Sequence, residues 1–259
     1  LITVPLWLSK INGLERALVL LLISIGLSSA VTLLVESQVG IILSILIVPI
    51  TLHVIAWPSL RLAYAVKIAR NRAKQELFHV HTDYSHDGTL NRRNLGEFLA
   101  KRPWKRIYLT DHAEDFSAKR YEQLKDNYRG LAPEVVFGLE YEIKGISHVY
   151  HILACDLSRF VYLNETSLDE ALQKLREEAK LLIWAHPRIA FSQLRKWRYN
   201  RELLQILSSV DGVEIHNNRN ADRFRFKLSM LLVAWLLCFL FGTRVVYIGI
   251  DAHSLHDLI

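Results

Sequence analysis

Residues 77–87, LFHVHTDYSHD, place His79 and His81 two positions apart at the end of an apolar run. On an extended strand, side chains two residues apart project from the same face. His86 and Asp87 follow within a few residues. Imidazoles and carboxylates that converge in this way predict a site for a divalent metal ion. For this segment taken alone, a pair of exposed strand histidines is the alternative interpretation.

The same side-chain types recur where later apolar runs end. They are Asp111 and His112 after RIYLT, Glu140 in VVFGLEYEI, His151 in VYHILACD, His186 in LLIWAHP, and Asp251 and His253 in VVYIGIDAH. A chance accumulation of metal-binding side chains at so many strand ends is improbable. The pattern therefore favours one shared metal centre over scattered surface residues.

The segments from residue 77 onward alternate between strand and helix patterns. Apolar runs predict strands at 77–82, 105–110, 135–143, 148–154, 180–185, 212–216 and 244–250, and amphipathic segments predict helices at 91–101, 117–128, 167–180, 200–209 and 221–241. Short buried strands separated by helices are typical of a parallel sheet. Seven such strands predict a closed α/β barrel, whose active site lies at the C-terminal ends of the strands.

The motifs H-x-H-T, S-x-D-G, T-D-H, G-x-E, H-I-L, A-H-P and G-x-D-A-H follow one another in this order. In that order, the chain from residue 77 to its last residue resembles the PHP (polymerase and histidinol phosphatase) family of metal-dependent phosphoesterases. The resemblance implies a distorted seven-stranded (β/α)7 barrel. It also selects His151 over His148 as the ligand on their strand, because the family's histidine directly precedes an apolar pair.

The resemblance implies three divalent metal ions, for which zinc, manganese and iron are all suitable. The first would be held by His79, His81, Glu140 and Asp251, the second by Glu140, His151 and His186, and the third by Asp87, His112 and His253. His86 is an alternative ligand to its neighbour Asp87. Metals about 3.5 to 4 Å apart share a hydroxide and polarise a phosphoryl oxygen, which implies phosphoester hydrolysis without a covalent intermediate.

Three further residues are predicted to support catalysis. Asp111 is expected to accept a hydrogen bond from a ligand imidazole and to fix its tautomer. Arg188 is a candidate for binding the substrate phosphate, with a surface arginine as the equal alternative. His216, which ends the run GVEIH, is interpreted either as a substrate contact or as a core histidine.

The N-terminal part of the chain contains two uncharged apolar stretches. Residues 17–35 and 38–57 lack Lys, Arg, Asp and Glu, and a membrane-spanning helix needs about 20 such residues. They predict a two-helix anchor within residues 1–60; a signal peptide followed by a buried helix is the alternative. The Lys and Arg residues before the first stretch and in a basic neck at 61–76 predict a two-pass inner-membrane protein whose domain at 77–259 faces the cytoplasm.

The predicted activity is hydrolysis of a phosphomonoester or nucleotide by a membrane-anchored enzyme. Two alternatives stay open: a nuclease acting on oligonucleotide ends, favoured by the basic and aromatic residues 195–199, and a non-catalytic regulatory module at the membrane. The net charge of +6 favours nucleic acid only weakly, because the neck contributes much of it. The intact ligand set argues against the regulatory module.

The C-terminal part of the chain contains an apolar helix pattern that a barrel alone does not explain. Residues 228–241 are apolar apart from Ser229 and follow a cluster of arginines. We interpret them as an outer helix that docks against the membrane or a second subunit. A start at Leu1 without methionine and an end soon after His253 are typical of a fragment.

Overall fold

The computed structural model describes residues 75–101, 104–146, 148–164, 166–187, 197–216 and 245–248, together with positions 62, 65, 67, 68, 71 and 233. The chain divides into two compact units, Leu1–Lys67 with Trp235–Thr243 and Ile68–Ala234 with Arg244–Ile259. The predicted spans at 17–35 and 38–57, and almost all of the helix at 221–241, lie outside the described residues. Within the described part, no helix has the length and apolar character needed to cross a membrane.

In the part of the chain that the structure describes, seven strands form one sheet, and strands that are consecutive in the chain are also neighbours in space. They are β1 Glu76–Val80, β2 Arg106–His112, β3 Glu134–Lys144, β4 Val149–Leu157, β5 Ala179–Trp184, β6 Gly212–His216 and β7 Val245–Ile248. Each overlaps a strand predicted from the apolar runs. The mixed α/β class is therefore confirmed.

The direction of β4 differs from the prediction of a parallel sheet. β4 runs antiparallel to β3 and β5, whereas the other neighbouring pairs are parallel. A parallel neighbour would require a crossover of a dozen or more residues, but β3 and β4 are joined by a tight hairpin in which Gly145 N donates to His148 O at 2.8 Å. The reversal brings the start of β4 to the rim where the other strands end.

In the described segments from residue 75 onward, the helices lie between strands, and three of them begin at polar capping residues. They are α1 Arg92–Leu99, α2 Ala118–Tyr128, α3 Leu168–Glu178 and α4 Trp197–Ser209, with a short 3-10 helix at Ala113–Asp115. Asn91, Ser117 and Ser167 each accept a hydrogen bond from a backbone N–H in the first turn. These caps satisfy N–H groups that a helix cannot pair internally, which explains where α1, α2 and α3 begin.

The sheet curls so strongly that side chains from β1 and β6 meet. His79 Nδ1 lies 3.1 Å from Glu214 Oε1. In a flat sheet, five strand spacings of about 4.8 Å would separate these strands by about 24 Å. The curvature is that of a barrel wall. No hydrogen-bonded pairing of β1 with β7 occurs among the described strands, so closure of the barrel stays a prediction.

One face of β4 contributes to both the core and the site. Leu153 and Cys155 join Phe78, Tyr108, Ile183 and Ala185 in a buried apolar cluster. His151 lies two residues before Leu153 and therefore projects from the same face, nearer to the start of the strand. The apolar cluster thus supports the strands from within, and the polar side chains lie at the rim above it.

Candidate metal centre

Glu140 on β3 is the carboxylate on which the histidines of the site converge, and it is only 2% exposed. Its Oε1 lies 2.9 Å from His151 Nδ1 and 3.0 Å from His186 Nε2, and its Oε2 lies 3.2 Å from His79 Nε2, 3.3 Å from His81 Nε2 and 3.6 Å from His112 Nδ1. These histidines come from β1, β2, β4 and the end of β5. The rim of the curled sheet therefore gathers side chains that are far apart in the sequence.

β1 delivers its two histidines through an irregular backbone and not as a regular strand. His79 has a φ of 66°, and the register between β1 and β2 shifts between Leu77 and Val80. The predicted reason for the convergence of His79 and His81, regular alternation along a strand, was therefore wrong, although both imidazoles reach Glu140. Positive φ at residues other than glycine is strained and concentrates at functional sites. His186, with a φ of 28°, is a second case.

Asp87 lies beside the histidines of β1 and β2. Its Oδ2 is 3.4 Å from His112 Nε2 and its Oδ1 is 4.0 Å from His81 Nδ1. The following Gly88 permits this approach, because a Cβ at that position would lie 1.8 Å from the carbonyl oxygen of Thr82. The loop after β1 can therefore fold back on itself only with glycine there.

His86 lies at the outer edge of the site. It is 59% exposed, and its Nδ1 lies 2.8 Å from Asp115 Oδ2. The hydrogen bond to Asp115 raises the pKa of His86, while burial acts in the opposite direction. His86 thus has its carboxylate partner outside the group formed by Glu140 and the five histidines around it, which we call the Glu140 cluster. Asp87, in contrast, faces this cluster.

Among the residues that the structure describes, three groups of side chains have the spacing needed to hold a metal ion. They are His79, Glu140 and His186; His81, His112 and Glu140; and His86, Asp87 and His112, with the candidate ligand atoms of each group within 4.8 Å of one another. Imidazole nitrogens with carboxylate oxygens suit zinc, manganese and iron. The donor set and its spacing therefore fit bound divalent cations.

The electrostatics of the site keep Glu140 ionised. Burial by itself raises the pKa of Glu140, but the positive charge of His79 and hydrogen bonds from His151, His186 and His79 outweigh it and hold the pKa well below its usual range. Burial lowers the pKa of His186, and its hydrogen bond to Glu140 raises it above the ordinary value. A cation at the centre would replace the protons that these imidazoles share with the carboxylate.

Asp111 has partners other than those predicted. Its Oδ1 accepts from Thr82 N at 2.6 Å and from Ser85 Oγ at 2.9 Å, and its Oδ2 accepts from Thr82 Oγ1 at 2.9 Å. The prediction that it accepts from an imidazole was wrong for the part of the chain that the structure describes. Burial raises the pKa of Asp111 to about 6, against the effect of these hydrogen bonds. Asp111 fixes the loop that carries Asp87.

Glu214 on β6 was missed by the sequence reasoning. It is fully buried, its Oε1 lies 3.1 Å from His79 Nδ1, and its Oε2 accepts from His186 N at 2.8 Å. Glu214 lies two residues before the predicted site residue His216 in the same short apolar run. A carboxylate between Val213 and Ile215, inside a short apolar run, is the sequence feature that could have identified Glu214 as a site residue.

The remaining predicted site residues cannot be placed around Glu140. Arg188, Asp251 and His253 lie outside the described residues. His216 ends β6, and its backbone is described without its side chain. The structure therefore brings together His79, His81, Asp87, His112, Glu140, His151 and His186 of the predicted ligand set.

Comparison with known proteins identifies a family model that matches the chain and solved structures of similar fold. The model of the family described as PHP domain matches residues 78–215. A search of curated protein sequences finds no significant match.

Several solved structures resemble this chain, and two of them illustrate the likeness. One is a candidate metal-dependent phosphoesterase from Bifidobacterium adolescentis, with 14% identity and a TM-score of 0.51 over 70% of this chain and 88% of that one. The other is an amidohydrolase from Chromobacterium violaceum with bound sulfate and no metal, with 13% identity and a TM-score of 0.50 over 69% of this chain and 87% of that one. At such identities the likeness shows the fold alone.

Proposed function

This chain belongs to the PHP domain family, and we propose that it is a metal-dependent hydrolase that cleaves a phosphomonoester or a nucleotide. The observation that supports this most is the convergence of five histidines on the buried carboxylate of Glu140. They lie on β1, β2 and β4 or just beyond the ends of β1 and β5. A fold does not by itself specify a reaction, so the proposal depends on the site. Imidazole nitrogens gathered around one buried carboxylate are suitable ligands for a divalent metal ion.

We assign the ligands in three sets, of which the first two share Glu140, as in the sequence prediction. His79, His81, Glu140 and Asp251 form the first set, Glu140, His151 and His186 the second, and Asp87, His112 and His253 the third. The observed distances around Glu140 support the first two sets, and the contact between Asp87 and His112 supports the third. Zinc, manganese and iron all suit these ligands.

Divalent cations in these ligand sets would polarise a phosphoryl oxygen and activate water at neutral pH. The side chains of the protein orient this centre. The contact of His79 Nδ1 with Glu214 leaves Nε2 directed at Glu140. Thr82, Ser85 and Asp111 fix the loop after β1, and Ser85 Oγ also accepts from His112 N at 2.8 Å. These contacts hold the ligands in place before any substrate binds.

We also propose that residues 1–60 anchor the domain to the inner membrane, with the domain on the cytoplasmic side. The two uncharged stretches and the basic residues that flank them support this proposal. The anchor is independent of the proposed chemistry.

The activity is tested by release of inorganic phosphate from small phosphomonoesters. The purified chain is stripped with a chelator, reloaded with manganese, zinc or iron, and compared with Glu140→Gln and with the exposed control Glu122→Gln. We expect metal-dependent turnover that Glu140→Gln lowers about 100-fold or more and Glu122→Gln leaves unchanged. No metal-dependent release from any phosphoester, or equal rates for Glu140→Gln and the natural sequence, would overturn the proposal.

A further inference from the structure

A cavity of about 200 Å³ adjoins the Glu140 cluster; its lining residues are His148, Val149, His151, Trp184, Ala185 and His186. His151 and His186 also contact Glu140 Oε1, at 2.9 and 3.0 Å. The cavity and the candidate metal centre therefore share a wall. Sites for drug-sized ligands have volumes of about 300 to 1,000 Å³, so this cavity suits a smaller group.

The wall of the cavity that lies away from the centre comes from the β3–β4 hairpin. His148 packs edge-on against Tyr150 at 5.4 Å between ring centroids, and Tyr150 packs edge-on against Trp184 at 5.7 Å. Val149 is 39% exposed and contributes an apolar surface. The lining of the cavity thus combines apolar side-chain surface with the imidazole of His148, which is not one of the five histidines around Glu140.

A buried carboxylate from α4 holds this hairpin in place. Glu202 is 4% exposed and accepts hydrogen bonds from the backbone N–H of Ile146 and, at 3.2 Å, from the hydroxyl of Tyr150. Gly145 lets the hairpin approach, because a Cβ there would lie 2.7 Å from Tyr150 Cε2 and 2.9 Å from Glu202 Oε2. Removing the carboxylate would leave a hairpin N–H and a buried hydroxyl without their acceptor.

We propose that this cavity is the subsite for the leaving group of the phosphoester, that His148 contacts that group, and that Glu202 is a positioning residue for the cavity wall. The proposal rests on the proposed function and deepens it. The leaving group is a small alcohol whose carbon atoms contact Val149 and whose polar atom lies within reach of His148. In the reaction, water adds to phosphorus, the P–O bond to the alcohol breaks, and the departing oxygen takes one proton of that water.

The first test measures binding of non-hydrolysable ligands to the metal-loaded chain by calorimetry, using phenylphosphonate and methylphosphonate. Val149→Trp fills the cavity, so we expect it to weaken phenylphosphonate binding about tenfold and methylphosphonate binding less than about twofold. Ile146→Trp, at a hairpin position that is 74% exposed and does not line the cavity, is the matched control. Equal weakening of both ligands by Val149→Trp would show that the cavity holds the phosphoryl group or nothing, and would overturn the proposal.

The second test separates positioning by Glu202 from a general effect on folding. A loss of folded protein lowers kcat/KM for all substrates by the same factor, whereas a displaced hairpin changes the ratio of kcat/KM for phenyl phosphate to that for methyl phosphate. We expect Glu202→Gln to change this ratio about fivefold, His148→Ala to change it in the same direction, and the neighbouring exposed control Arg201→Gln to leave it unchanged.

The outcomes also separate this inference from the proposed function. Turnover by the natural sequence with an unchanged ratio in Glu202→Gln and His148→Ala would overturn the leaving-group subsite alone. Absence of any turnover by the natural sequence would overturn the proposed function, and the subsite with it.

Discussion

Glu214 Oε1 on β6 lies 3.1 Å from His79 Nδ1 on β1, and the other oxygen of the same carboxylate accepts a hydrogen bond from the backbone N–H of His186. One fully buried side chain thus links two of the histidines that contact Glu140. The bond to Nδ1 determines the orientation of the His79 ring and directs Nε2 at Glu140. Carboxylates in this role commonly set the tautomer and the basicity of a ligand histidine.

Replacing Glu214 by glutamine is expected to weaken metal binding about 10-fold to 100-fold, because the amide is a poorer partner for the imidazole N–H. The side chain keeps its shape, so the fold should survive the change. The measurement is a metal titration of the chelator-treated chain, followed by calorimetry or by competition with a dye. Glu177→Gln, an exposed change on α3, is the control. An affinity equal to that of the natural sequence would show that Glu214 does not position His79.

Replacing Gly88 by alanine is expected to destabilise the fold by about 2 kcal/mol or more, because the added Cβ would overlap a backbone atom and the backbone would have to shift. That Cβ would lie 1.8 Å from the carbonyl oxygen of Thr82. The measurement is urea unfolding, with metal binding determined on the same sample because Asp87 precedes this residue.

Gly96→Ala is the matched control for Gly88→Ala. Gly96 lies inside α1, and a Cβ there would meet only Leu131 Cδ2, at 3.5 Å. The change should stabilise the protein by about 0.5 to 1 kcal/mol, because alanine favours a helix over glycine. Equal effects of the two alanine variants on stability would contradict the close approach at Gly88.

The proposed membrane anchor predicts that the complete chain sediments with membranes and stays there after washing with high salt and alkaline carbonate. A chain that lacks residues 1–60 should lose this behaviour, whereas residues 1–60 fused to an unrelated carrier should transfer it. The reason is that two uncharged stretches of about 20 residues bury enough apolar surface to hold a helix in a bilayer. Recovery of the complete chain in the supernatant would contradict the anchor.

Much of the strand order follows from the sequence, because apolar runs separated by amphipathic segments restrict the possible topologies. Glu140 and His151 are conspicuous as polar, metal-binding side chains inside apolar strands, and the family resemblance then selected His151 over His148. The reversal of β4 was not predicted, although the short connection at residues 145–148 leaves no room for a crossover.

The details that could not be predicted from the sequence depend on contacts between residues that are far apart in the chain. The positive φ of His79 interrupts strand alternation within the H-x-H motif, and nothing in the local sequence indicates it. The partners of Asp111 come from a loop whose path depends on tertiary packing. Glu214 lies 135 positions from His79, so only the curl of the sheet reveals their contact.

The most direct test of the central claim is elemental analysis of the purified chain after it is loaded with metal and separated from free ions. The account predicts about three bound divalent ions per chain, and a clear loss of bound metal in Glu140→Gln but not in Glu122→Gln. A chain that retains no metal after loading, or a Glu140→Gln variant with the same metal content as the natural sequence, would contradict it.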